Sequence, residues 1–172
     1  MSADLRTIIA LRRDVEYDHL IMPLDEVDRR MIDELRRDGR ATAPTLAERI
    51  GIGRATAYHR LDQLLDTGVI RGFAALVDPP SVGLTVSAMI LVTVEQGRWR
   101  ELRAALGALP GVEWLGVATG EFDFMLLVRA DSLDHLRDVA LHELQQIEGV
   151  RSAQTIVLLD EVDQRQRPIW PI

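Results

Sequence analysis

Residues 42–68 read TAPTLAERIGIGRATAYHRLDQLLDTG. Thr42 precedes Pro44, and proline suits the first turn of a helix, where no amide donor is needed. Leu46, Ala47 and Ile50 then form an apolar face that Gly51 ends, so the spacing predicts a helix beginning near Thr42. Ile52 and Gly53 make a tight turn. A further helix is predicted from about Arg54 to Asp66, with Ala57, Tyr58, Leu61, Leu64 and Leu65 on its buried side and Gly68 as its stop. Two short helices joined by so tight a turn form the heart of a helix-turn-helix.

Working outward, Leu24, Val27, Met31 and Leu35, with Ile32 beside them, mark a preceding helix. Asp25 is its N-cap, Arg36 and Arg37 lie in its last turn, and Gly39 follows as a stop. Further upstream, apolar positions 5, 8, 9 and 11 suggest a short helix that Pro23 closes off. Downstream, Val69 to Val77 reads as a strand, broken at Asp78-Pro79-Pro80-Ser81, where the domain boundary is expected.

The second half has another rhythm. Leu84 to Val94 is rich in β-branched residues. Trp99, Leu102, Ala105, Leu106 and Leu109 repeat at helical spacing. Val112 to Thr119 and Phe122 to Val128 read as strands joined at Gly120-Glu121. Leu133, Leu136, Ala140, Leu144 and Ile147 mark a helix ended by Gly149, and Ala153 to Leu159 is a last strand. The order βαββαβ is the ferredoxin-like split unit. Two helices cover one sheet face; Met125 and Leu127 then lie on the other, which predicts pairing of two copies sheet to sheet.

Composition narrows the function. Net charge is −7, and apolar residues make up 47% of the chain, enough for packed cores. Residues 23–72 are charge-neutral and the acidic excess sits beyond them, which disfavours nonspecific coating of nucleic acid. Cysteine and lysine are absent, so disulfides, thiol catalysis, Schiff bases and the phosphate-loop lysine are excluded. No apolar run reaches the roughly 20 residues that span a bilayer, and no signal-peptide pattern opens the chain; a soluble cytoplasmic protein is expected. His135 and His142 lie two turns apart, but nothing marks a third ligand, so no metal or other cofactor is expected.

Three motifs carry a family resemblance. They are LDEVDRRMIDELRRDGRAT at 24–42, GVIRGFAALVDPPSVGL at 68–84 and GVATGEFDFMLLV at 116–128. In this order they resemble the Lrp/AsnC feast/famine regulators over roughly Leu24 to Val162. The resemblance implies an α+β chain, an N-terminal winged helix-turn-helix plus a C-terminal ferredoxin-like domain. Its implied function is ligand-modulated transcriptional control, not catalysis. Its implied partners are double-stranded DNA, a small effector (often an amino acid) and further copies of the chain, as a dimer or octamer. The expected layout is an extension at 1–22, the helix-turn-helix at 23–68 and a linking strand at 69–83. An effector-binding and oligomerisation domain at 84–162 and a tail at 163–172 complete it. Trp170 in that tail is expected to be exposed or docked on a neighbour. The linking strand is expected to pair with its twin across the dimer.

On the third helix the polar residues Arg54, Thr56, His59, Arg60 and Gln63 are candidates for DNA contact. Positions 56, 59, 60 and 63 share one face, and Arg and Gln can bond guanine and adenine bidentately. A solvated surface looks the same; the helix-turn spacing before it favours the reading face. Arg60→Ala is thus expected to weaken operator binding without unfolding the protein. The chain departs from the family's more basic pattern at Asp62, Gln63 and Asp66, and carries Gly53 where a serine-like cap is common.

Asp123 stands in an apolar strand between Phe122 and Phe124 and needs a partner. It either caps the turn, pairs with an arginine on a neighbouring subunit, or meets the ammonium of an amino acid. The family's effector segment maps onto Val117, Thr119, Gly120 and Asp123 as pocket residues, with Ile156, Val157 and Leu158 shaping the pocket from nearby. Two other readings share parts of this pattern. Sirohaem decarboxylases share this two-domain architecture, with a corresponding strand pair that looks histidine-rich and an arginine nearby, but Glu113 to Val128 here holds no histidine and no arginine. A nucleoid-organising protein of low selectivity fits poorly with the acidic balance.

Overall fold

The computed structural model describes residues 23–95, 97–163 and 167–170, so the helix expected at Leu5–Leu11 lies outside the described residues. Two compact units form: one from residues 23–76 with 162–163 and 167–170, the other from Val77–Glu161.

In the first unit α1 spans Glu26–Arg37, α2 Ala43–Ile50 and α3 Arg54–Asp66. Helix α1 starts at Asp25 because two orphan amides are satisfied reciprocally. The Asp28 amide donates to Asp25 Oδ1 at 2.9 Å, and the Asp25 amide donates to Asp28 Oδ2 at 3.1 Å. Its stop is Asp38 rather than Gly39; the Asp38 amide closes on the Glu34 carbonyl, and its carboxylate accepts the Arg40 amide. Helix α2 has Thr42 as cap, Pro44 in its first turn and Gly51 in the left-handed region at φ 79°, which glycine adopts without a Cβ penalty.

The core of this unit is Met31, Ile32, Leu35, Ala43, Leu46, Ala47, Ile50, Ala57 and Leu64. Helix α3 contributes a narrower stripe than its periodicity suggested. Tyr58 and Leu65, expected inside, are exposed at 53% and 36%. Among the described residues α1 and α2 are the helices that pack against α3, and they leave the flanks of its apolar arc uncovered. The strand expected at 69–77 is not formed, and Phe73, Leu76 and Val77 stay about half exposed. A strand needs a ladder partner, and none of the described residues supplies one.

The second unit is an antiparallel sheet of β1 Val86–Val94, β2 Val112–Val117, β3 Phe124–Ala130 and β4 Val150–Leu158, in the order β2-β3-β1-β4. Helix α4 spans Trp99–Gly107 and α5 Leu133–Asp138; a π-helical turn at Val139–Glu143 and a 3-10 turn at Leu144–Gln146 continue α5. The βαββαβ order holds, with shifted edges. Strands β2 and β3 are joined by the six residues 118–123 rather than by a two-residue turn. Strand β4 begins at Val150, three residues before the hydropathy suggests. There Val150 and Ser152 pair with β1 on either side of a register shift at Arg151, so the ladder, not burial, carries the start of the strand.

Alternation sorts the sheet. Ala88, Ile90, Val92, Val94, Phe124, Leu126 and Val128 face Leu102, Leu106, Leu136, Val139 and Leu144 in one core. Cross-strand partners place Met89, Leu91, Met125, Leu127, Trp114 and Ile156 on the other face. All six are partly or well exposed. Among the described residues no helix is long and apolar enough to cross a membrane.

Candidate functional site

Two places carry the candidate chemistry: the outer face of α3 and the loop 118–123. On α3, Arg54, Thr56, His59 and Gln63 are exposed. Helix α3 begins at Gly53 without any side-chain cap, and Asp62 and Asp66 are exposed among the candidates.

Arg60 differs. Its Nη1 sits 2.7 Å from Asp25 Oδ2 and 2.7 Å from Asp28 Oδ1, with the Arg60 side chain 26% exposed and that of Asp28 10%. It ties α3 to the capping box of α1. The Asp28 amide, and then Arg60, hold the Asp25 carboxyl below its usual 3.8. The expectation that Arg60 is free to reach DNA is therefore corrected: its guanidinium is engaged inside the unit. The helical wheel put it on the polar face, but the wheel could not show that α1 presents two carboxylates there.

In the loop, Thr119 and Gly120 are exposed, Val117 is 43% exposed, and Gly120 has φ 135°, a conformation L side chains rarely adopt. Asp123 is partly buried, and its Oδ2 accepts the Val94 amide at 2.8 Å. The Ala118 amide donates to the Asp123 carbonyl at 2.8 Å, and the Asp123 amide to the Val92 carbonyl at 2.9 Å. The carboxylate thus fastens the loop to the end of β1. Among the described residues no arginine forms an ion pair with it.

Ile156, Val157 and Leu158 do not join this loop within one chain. They pair with Met89, Ala88 and Ser87, while Asp123 bonds Val92 and Val94, about 16 Å away along β1 at strand rise. Strand β4 is also the sheet edge opposite β2, which carries Val117. Register puts Ile156 and Leu158 on the open face and Val157 on the helix face, so the three cannot line one pocket. The expectation that they shape the site from nearby is corrected for a single chain.

Other features emerge from the tertiary structure. Arg129, a single charge in the run FMLLVRA, bonds Glu113, Glu161 and Ser87. It holds the Glu161 carboxyl below its usual 4.5. The Trp114 ring lies over Gly116, where any Cβ would collide with it. His135 pairs with Asp131 at 3.1 Å and His142 with Asp138 at 3.9 Å. The described residues contain no cluster of three potential metal ligands. A cavity of about 170 Å³ opens between the π-helical turn and β4, lined by Leu141, Leu144, Arg151 and Thr155 among others, apart from the 118–123 loop.

Comparison with known proteins matches both units. Residues 24–71 fit the model of winged helix-turn-helix DNA-binding domains, and residues 87–168 fit that of the Lrp/AsnC ligand binding domain. An uncharacterized HTH-type transcriptional regulator of Pyrococcus furiosus is 38% identical over 135 residues, covering 78% of this chain and 91% of that protein. A transcriptional regulator of Neisseria meningitidis, solved as a complex with L-Met, superposes with a TM-score of 0.75 at 30% identity, covering 81% of this chain and 92% of that one. LrpC of B. subtilis superposes at 0.73 with 26% identity, over 83% of this chain and 99% of its own. With a helix-turn-helix unit before a ligand-binding sheet unit, and relatives of this identity and coverage, the chain belongs to the Lrp/AsnC family of transcriptional regulators.

Proposed function

We propose that the chain reads specific DNA sequences as a homodimer or larger assembly, and that a small effector, an amino acid, shifts that assembly or its hold on DNA. The observation that carries the DNA half is the outer face of α3, where Arg54, Thr56, His59 and Gln63 stand exposed. Arg54 lies in the first turn, the part of a recognition helix that meets base edges. The neutral helix unit and the acidic remainder make affinity depend on paired half-sites more than on phosphate attraction.

For the effector, support comes from Val117, Thr119, Gly120 and Asp123 on or beside one loop, and from the L-Met bound by the Neisseria relative. Asp123 supplies a carboxylate for an ammonium, and the loop amides suit a carboxylate. Strand β4, with Ile156 and Leu158 on its open face, would enter such a site from another copy. In layout, 23–68 would serve as the DNA-binding domain, 69–83 as the link and 84–162 as the effector and assembly domain. No observation favours a decarboxylase or a nonselective nucleoid protein.

The test is operator selection with the full chain, followed by gel-shift titration at fixed salt. Arg54→Ala is expected to weaken the selected site about tenfold or more, the worth of one good base contact, with the circular dichroism spectrum unchanged. Equal affinity in variant and parent would remove Arg54 from the reading face.

A further inference from the structure

The chain does not end at the sheet. Residues 167–170, which follow β4 in sequence, belong to the helix-turn-helix unit. Helix α1 holds them with a single stripe. Arg29, Asp33 and Arg36 recur at i, i+4 and i+7 and so share one face. Arg36 Nε donates to the Arg167 carbonyl at 2.8 Å. The Ile169 amide donates to Asp33 Oδ1 at 3.1 Å. The Arg29 guanidinium stacks over the Trp170 ring, 5.9 Å from its centroid, while the ring packs against the core of the unit. Two backbone groups and one aromatic anchor are recognised by three consecutive positions on one helix face. Trp170, expected to be exposed or docked on a neighbour, is instead partly buried against its own chain's helix unit, under Arg29 of α1.

The physical need is plain. A unit built from residues 23–76 has nine buried apolar side chains, and segment 69–77 adds no ladder. Domains this small gain from any staple that enlarges the core. Among the described residues the chain passes between its two units at Leu76–Val77 and again at Glu161–Val162.

We infer that Arg167–Trp170 is a clasp on the DNA-binding unit, holding α1 and, through the Arg60 bridge to Asp25 and Asp28, the recognition helix α3. The part concerning DNA rests on the reading of α3 proposed above; the part concerning the clasp does not. Trp170 is a positioning residue here: its partners are Arg29 and the core of the unit.

The test is hydrogen exchange on the full chain without DNA, for Trp170→Ala, Trp170→Phe and Asp33→Ala. Trp170→Ala is expected to speed exchange in residues 26–37 about tenfold, the loss of one anchored aromatic with its cation contact. Asp33→Ala acts in the same direction, and peptides from β1 and β3 keep parent rates. Trp170→Phe retains most of the protection. Unchanged exchange in α1, or equal acceleration in the sheet, overturns the clasp. Operator affinity is then compared: a loss in Trp170→Ala that Trp170→Phe rescues supports the link to α3. Loosened α1 with parental affinity overturns that link. A parent that selects no operator defeats the DNA reading alone and leaves the exchange result standing.

Discussion

Arg60 shows how one side chain decides between reading DNA and building the unit. It meets two carboxylates that already cap α1, so its removal leaves Asp28, the buried charge of the helix unit, without its cation. Leaving such a group under-satisfied costs about 1–3 kcal/mol. Arg60→Ala should therefore lower the melting temperature of the helix unit by several degrees, on the order of 4–8 °C per kcal/mol in a domain this small. Any loss of operator binding would follow from that loosening, and calorimetric melting of parent and variant checks it. The sign with pH follows from Asp25. Its carboxyl is held below 3.8 in the folded chain, so its contribution is complete above that value and is lost as pH falls through the lowered pKa. The melting temperature of the parent should drop with acid below about pH 4, and that of Arg60→Ala should drop less.

At the scale of elements, the loop between β2 and β3 carries the candidate effector site, and Asp123 has one observed contact there and one proposed. Its carboxylate accepts the Val94 amide, which any side-chain oxygen of similar shape could do. Its charge is needed only for a cation. Asp123→Asn separates the two: the hydrogen bond to Val94 persists while the charge goes. The expected result is a parental fold and melting temperature with amino-acid binding weakened at least tenfold, as for loss of a charge-assisted contact. Titration calorimetry with a panel of amino acids measures this. Binding equal to the parent's would assign Asp123 to loop fastening alone. The same element shows why its edges were hard to read. Hydropathy continues through Ala118 and Phe122, yet pairing stops at Val117 and resumes at Phe124. The intervening backbone turns back on itself through bonds from Ala118 to Asp123 and from Asp123 to Val92.

For the whole molecule, the open sheet face is the largest consequence of a one-sided helix cover. Met89, Leu91, Met125, Leu127, Trp114 and Ile156 present apolar surface across all four strands. Contiguous apolar surface of this kind seeks a partner. If two copies pair there, Leu127→Glu buries an unpaired charge at the seam and should yield a monomer by light scattering with the sheet still folded. A dimer of parental affinity would place the interface elsewhere.

The helices of the first unit, the βαββαβ order and the alternation of Phe124 and Leu126 with Met125 and Leu127 were legible from the amino acids alone. Periodicity, capping residues and glycine stops are local, and a local pattern needs no knowledge of neighbours. The exposure of Tyr58 and Leu65, the engagement of Arg60, the separation of Ile156–Leu158 from Asp123, and the seat of Trp170 on α1 came only with three-dimensional packing. Each depends on which surface lies opposite. Two residues 131 apart in the chain, such as Arg36 and Arg167, share no periodicity that could announce their contact.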